Sequence, residues 1–268
     1  MSENGESSPS WLGSGYEGIE EEEKRLTRLA QPRRFWVKEG GSTEAVFIDS
    51  DPSTIYEHNV HMNGSWRNWF TCGKGFHDEA ACCAILGPRN AYYVGYYTVV
   101  DCRKWTDDSG KDHQYELQML PAKLGMLKIF RRKNDDRADE GGLSGCMFKV
   151  HREGDKSPGI GSEWEFKRRA DLEKLYPLAT YKGKLFKDLV EEANNDPKKH
   201  ALLAQTFQLV VEDSKIQPVL VPFNYAEILL PMKPSEVREY LHAYTGARKS
   251  GGGSDGGGGD IREDDTPF

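Results

Sequence analysis

A chain of 268 residues has room for one large domain or two small ones, and nowhere is it apolar for long enough to span a membrane. Its formal net charge of −7 is the wrong sign for a phosphate-binding protein, but the charge is unevenly spread. Residues 1–23 carry seven Glu and no Lys or Arg, and residues 250–268 carry five acids and one Arg, which leaves 24–249 at +4. Five Cys, an odd number, behind an N-terminus (Met1, Ser2, Glu3) unlike a signal peptide, argue for reduced thiols or a metal site in a cytoplasmic protein.

In chain order, residues 1–31 read as an appended acidic arm. Its first 18 residues are rich in Ser, Gly and Glu and are expected to be disordered. Residues 20–29 (EEEEKRLTRL) have the charge order of a short helix, acids first and bases last. The folded body is expected from Pro32. RRFWVKEGG and TEAVFIDS give two short strands, ended by Asp51 and Pro52. In IYEHNVHMNGSWRNWFTC, Asn63 and Gly64 mark a hairpin turn between two polar and aromatic strands. A loop with Cys72, His77, Cys82 and Cys83 precedes 91–102 (AYYVGYYTVVDC), the most strand-like run in the chain, with Gly95 where a barrel strand would bend. After a turn at 107–110, HQYELQML alternates as a strand. LGMLKIFRRK (124–133) has a helical period, with Leu124, Leu127 and Phe130 or Ile129 on one face. A charged loop at 135–142 leads to LSGCMFKVHREG and SEWEFKRRA, read as closing strands. Five or more short strands with one helix before the last pair predict an OB-like Greek-key barrel over 32–170, in a chain that is mainly β with α.

From 171 the pattern becomes helical. DLEKLYPLA, GKLFKDLVEEAN and PKKHALLAQTFQLVV form an extension, over 171–246, expected to pack on the barrel, with Pro197 suited to a first turn. Residues 216–231 are apolar but interrupted by Pro218 and Pro222, and read as a packing segment rather than a central strand. A last helix is expected from Ser235, with Pro234 before it and Gly246 after. Residues 247–268 read as a flexible Gly-rich linker and an acidic tip.

The chemistry suggested by composition is base stacking. Aromatics alternate with cations at Trp66, Arg67, Trp69 and Phe70, at Arg89 with Tyr92, Tyr93, Tyr96 and Tyr97, and at Arg103, Lys104 and Trp105. Flat rings stack unpaired bases at roughly 1–3 kcal/mol each, and cations follow the phosphates. Trp36 in the first strand joins the rings; Lys128, Arg131, Arg132 and Lys133 form a basic run along the helix and at its end. A period-2 strand points Tyr92 and Tyr96 one way and Tyr93 and Tyr97 the other, so one of the pairs is expected in the core. No phosphate-binding loop, HExxH or GxSxG occurs, and the acids are scattered, so no catalytic residue is assigned. Cys102 and Cys146, in strand-like context, read as small core residues.

Several motifs in 32–166 resemble phage single-stranded DNA-binding proteins: RFW-V-K-G with an F-I-D strand, E-H-N, W-R-N-W-F-T-C, Y-x-V-x-D after the cysteine loop, and G-D-K-S-P at 154–158. The cysteine loop, Cys72 and Cys82 after His58 and His61, is similar to the zinc loop of T-even helix-destabilising proteins, in which one His and three Cys hold zinc within an OB-type barrel. This chain departs from that pattern: a Cys-x-x-Cys starting at Cys82 would need a thiol where Ile85 stands, and Cys83 is adjacent instead. The candidate ligands are therefore Cys72 and Cys82 with one or two of His58, His61 and His77, the alternative being a loop held by packing alone. The C-terminal tip, Asp260, Glu263, Asp264, Asp265, Pro267 and Phe268, resembles the acidic tip of bacterial single-stranded DNA-binding proteins. There Phe fills an apolar pocket and a basic rim takes the carboxylates. These resemblances imply a sequence-nonspecific binder of single-stranded DNA in phage replication and recombination, acting in the host cytoplasm and recruiting partner enzymes through its tail. An RNA-binding or transcription-associated module and a metal-dependent nuclease are the alternatives.

Overall fold

The structure, a computed structural model, describes residues 31–60, 69–77, 80–106, 110 and 112–250, with backbone alone at Pro88 and 243–250. The chain divides into two units, Met1–Pro32 and Arg33–Phe268, and the second holds the sheet and the described helices. The run richest in β-branched and aromatic residues forms the ten-residue strand β4 (Tyr92–Asp101), around which the sheet is built. One of its edges pairs antiparallel with β7 (Glu116–Lys123) from Val94 opposite Lys123 to Asp101 opposite Glu116. Two strands share the other edge. β1 (Ser42–Phe47) takes the C-terminal half and β2 (Ser53–Asn59) the N-terminal half. At the corner between them the Asp49 carboxylate accepts the Thr98 amide at 3.0 and 3.1 Å. β3 (Trp69–Thr71) adds to β2; β8 (Cys146–His151) adds to β1, and β9 (Glu163–Arg169) to β8.

The predicted closed barrel is not what forms. The sheet is large, mostly antiparallel and open, in the order β11-β10-β7-β4-β1-β8-β9, with β10 (Thr180–Tyr181) parallel to β7 and β11 (Lys184–Leu185) beyond it. The reason lies in what occupies β7. At Met119 its backbone bonds to the strip 33–37, which passes on to Gly159 in the β8–β9 loop through the Val37 amide, and at Glu116 it pairs with β10. β9 therefore does not pair with β7. Two small hairpins lie apart from this sheet, β5 (Trp105–Thr106) with β6 (Asp112–His113), and β12 (Val211–Glu212) with β13 (Lys215–Ile216).

Both faces of the sheet are covered. On one, Phe47 sits at the centre of an aromatic core, edge-on to Tyr97 (5.3 Å), Phe130 (5.3 Å) and Phe148 (5.6 Å), with Trp164 behind. Helix α2 (Leu124–Asp135) closes this face through Met126, Leu127 and Phe130. Gly95 makes room for it, since a Cβ there would lie 2.5 Å from Leu127 Cδ2 and 3.0 Å from Pro52 Cβ. The expected strand bend is thus a close approach of helix to strand. On the opposite face the C-terminal extension packs its short helices α3 (Leu172–Leu175) and α6 (Tyr225–Ile228) and longer helices α4 (Phe186–Asn195) and α5 (Pro197–Thr206). Pro197 opens α5, and the Asp196 side chain accepts from the Lys198 amide. Residues 216–231 lie over the sheet as expected, with Phe223 donating its amide to Thr98 Oγ1 at 2.9 Å. A third, smaller cluster joins helix α1 (Ala81–Leu86) to helix α7 (Pro234–Ser250), which runs through Gly246 rather than stopping there. No described helix is long and apolar enough to cross a membrane. The acidic arm, the Asn63 and Gly64 turn and the tip beyond residue 250 lie outside the described residues.

Candidate metal centre and nucleic-acid interface

Where β2 and β3 pair, His58 stands opposite Phe70 and stacks on it at 5.2 Å. One residue beyond β3, the Cys72 amide bonds to Tyr56 O, which turns its thiol toward the His58 face. The first turn of α1 brings Cys82 and Cys83 to the same place. Cys72 Sγ lies 3.7 Å from Cys82 Sγ and 3.4 Å from Cys83 Sγ, and Cys83 Sγ lies 3.8 Å from His58 Nε2. The four donor atoms fall within 4.8 Å of one another. These separations are far beyond the S–S bond of about 2.05 Å. They match instead the roughly 3.8 Å between sulfurs held at 2.3 Å by one tetrahedral ion.

The chemistry of the set also fits a metal. Burial pushes the Cys72 and Cys83 thiols up, so alone they remain protonated, whereas a divalent cation favours thiolate. His58 is fully buried, and among the described residues its Nε2 has only the distant Cys83 sulfur and its Nδ1 has no hydrogen-bond partner. Buried ring nitrogens without full partners are costly, and a metal among the thiols would satisfy one of them. The cluster could therefore hold a soft divalent ion through one imidazole and three thiolates. The ligand set expected from the sequence is corrected on two points. Cys83 belongs to the cluster, because a helical turn lets adjacent cysteines both face inward; His77 does not, because its Nε2 bonds to Met232 O at 3.2 Å. His61 lies outside the described residues.

Beside the cluster most of the expected DNA-contacting rings are occupied by the protein itself. Glu57, buried on the opposite face of β2, receives Arg34 at 3.1 and 2.5 Å, the Tyr92 hydroxyl at 2.5 Å and the Tyr96 hydroxyl. Burial alone would lower Arg34, but the Glu57 carboxylate outweighs it and holds the guanidinium above its ordinary range. Burial and the same carboxylate raise both phenols. Arg34 also covers the Trp69 ring at 4.1 Å. Tyr97 is buried on the α2 face, so Tyr96 and Tyr97 are both core. The expected core pair is Tyr92 and Tyr96, and Tyr97 of the other pair is buried as well, because the extension and α2 cover the sheet from both sides. Phe70 lies between His58 and Tyr240. Trp105 stacks on His113 at 4.3 Å under Arg33, and Arg103 is paired with Asp101 at 2.7 Å.

What stays open is a strip at the end of the sheet. Tyr56 on β2 and Tyr93 on β4 are register partners with rings 5.4 Å apart, and they are 51% and 37% exposed. Leu124, one step past the rung where Lys123 meets Val94, is 45% exposed. It begins α2, whose outer surface carries Lys128, Arg131 and Arg132, all exposed; Arg131 approaches Asp135 only at 4.0 Å. Lys133 turns inward over Phe148 at 5.4 Å and is lowered by burial and by its neighbours Arg137 and Arg132. Arg89 and Lys104 are exposed, and Trp36 is 42% exposed under the Arg152 guanidinium at 5.6 Å. Sequence reasoning missed Tyr56 and Cys83. The i, i+2 relation of Tyr56 to His58 on one strand face was the available signal for the first. Trp66, Arg67 and the tip residues Asp260, Glu263, Asp264, Asp265, Pro267 and Phe268 lie outside the described residues. No protein-family model matches the chain, and neither does any curated protein sequence.

Proposed function

We propose that the chain is a single-stranded DNA-binding protein that coats unpaired strands without regard to sequence, and makes or breaks no bond. The observation that carries this reading is the exposed Tyr56 and Tyr93 pair at the end of a sheet against which α2 packs with its cations exposed. Two edge-on rings left open at a sheet end, and a helix on that sheet with Lys128, Arg131 and Arg132 outward, offer π-faces to bases and charge to phosphates. Strand order supports an OB-type ancestry for the sheet: the β4–β7 hairpin, a helix directly after β7, then β8 returning to pair with β1. We assign zinc to His58, Cys72, Cys82 and Cys83, a closed four-ligand structural site that ties β2 and β3 to α1. That donor set suits a structural ion rather than the magnesium a nuclease would require. The acidic tip, ending in Pro267 and Phe268, is proposed to recruit replication or recombination enzymes.

Fluorescence anisotropy of labelled oligo-dT with the full chain tests the site. Replacing Tyr56 and Tyr93 together by Ala is expected to weaken binding roughly ten- to a hundredfold with the salt dependence unchanged. Replacing Arg131 and Arg132 by Ala is expected to flatten the salt slope by about 0.7 per cation that meets a phosphate. Wild-type affinity in the tyrosine double variant rules out this strip as the binding surface. Competition by oligo-rU of equal length separates a DNA binder, which needs no 2′-OH, from the RNA alternative.

A further inference from the structure

The described residues that α7 buries, Val237 and Leu241, face the cysteine loop and its flanks. Val237 and Leu241 are buried against Val60, Cys72, Ala81 and Cys82, and Tyr240 meets Phe70 edge-on at 5.7 Å. These three positions form one helical stripe at i, i+3 and i+4. The approach to the helix is fastened to the same loop, since His77 Nε2 donates to Met232 O. The Glu236 side chain accepts the Lys233 amide and closes the first turn. On the other side of the contact stands α1, six residues long and without a capping side chain. A helix that short does not hold itself in water, and its Cys82 and Cys83 are half of the four-donor cluster. The described stripe of α7 therefore rests on an element that the metal ligands fix in place, and Phe70 links the two directly by touching both His58 and Tyr240.

We propose that the cysteine cluster is a metal-dependent latch for the C-terminal helix: with the ion bound, α7 is docked, and with the ion lost, α1 and α7 detach while the sheet persists. This rests on the zinc assignment above. Its consequence is that metal occupancy decides whether the chain leading to the acidic tip leaves the body at the end of α7 or near Lys233. Any partner that the tip engages would then meet a differently placed arm. The β2–β4 ladder bearing Tyr56 and Tyr93 is held by its own backbone bonds and by the Glu57 network, so it remains.

Hydrogen exchange on the full chain tests this, comparing zinc-loaded protein with protein stripped by a chelator in the presence of reductant, zinc content being measured separately. Stripping is expected to raise exchange at residues 236–242 at least about tenfold and to leave β4 and β7 unchanged. Leu241→Ala is expected to raise exchange at the same residues while zinc content stays at one per chain. Zinc uptake with no change at 236–242 on stripping overturns the latch alone. Exchange that rises in β4 and β7 as well overturns it too, because the metal would then hold the whole fold. A chain that takes up no zinc overturns both the latch and the metal assignment.

Discussion

The aromatic core under α2 and the small cluster around α1 are stabilised by different means. In the first, Phe47 touches Tyr97, Phe130, Phe148 and Trp164, and the surrounding strands bury one large apolar surface. In the second, a smaller set of described apolar side chains, among them Val60, Val237 and Leu241, gathers near His58 and three cysteines. Fully burying a large apolar side chain contributes about 1.5–3 kcal/mol, so the first region can hold by packing alone. The second is smaller, and the latch proposed above has it depend on its polar donors as well. The molecule thus pairs a body that needs no ligand with an appendage whose order is conditional.

The largest effect expected from this contrast is in the body. Phe47→Ala should cost about 3–5 kcal/mol of stability in urea unfolding, through loss of the ring and the cavity left behind. A cost below about 1 kcal/mol would remove the distinction between the regions. Next comes Gly95, where an added methyl must displace Leu127 or Pro52. Gly95→Ala should cost about 1–3 kcal/mol, and clearly less in a Leu127→Ala background, a coupling that a double-mutant cycle measures. The smallest is electrostatic. Burial pushes Asp49 up to about 7, with the Thr98 amide pulling against it. A carboxyl raised above its unfolded value near 3.9 costs stability as it ionises, fully above about pH 7 and not at all below about pH 4. Asp49→Asn should therefore stabilise the protein at about pH 8 and leave it unchanged at about pH 4. An equal effect at both would place the cost elsewhere.

The same division explains what the sequence disclosed. The β-branched run 92–101 and the 3.6-residue period from Leu124 have strong local signals, and both elements stand where they were expected. Pro197 opening a helix and the two prolines in 216–231 were equally legible, because proline limits its own backbone. Barrel closure was not, since whether β9 reaches β7 depends on the strip 33–37 and on β10, which are brought there only by tertiary contacts. The fate of the tyrosines depended on both faces of the sheet being covered, which alternation in a single strand does not reveal. Cys83 was passed over because adjacent thiols diverge in extended chain, and only the turn of α1 makes them converge. Glu57 entered only as the first residue of E-H-N, with no role assigned, yet its carboxylate is what binds the Tyr92 and Tyr96 hydroxyls into the fold.

The measurement that bears most directly on the proposed function is a competition on the full chain between unlabelled oligo-dT and duplex of equal length for labelled oligo-dT, repeated at low and high salt. Stacking on open rings predicts displacement by the single strand at concentrations well below those needed of the duplex, with affinity falling steeply as salt rises. Equal displacement by both, or no binding of either, would contradict it.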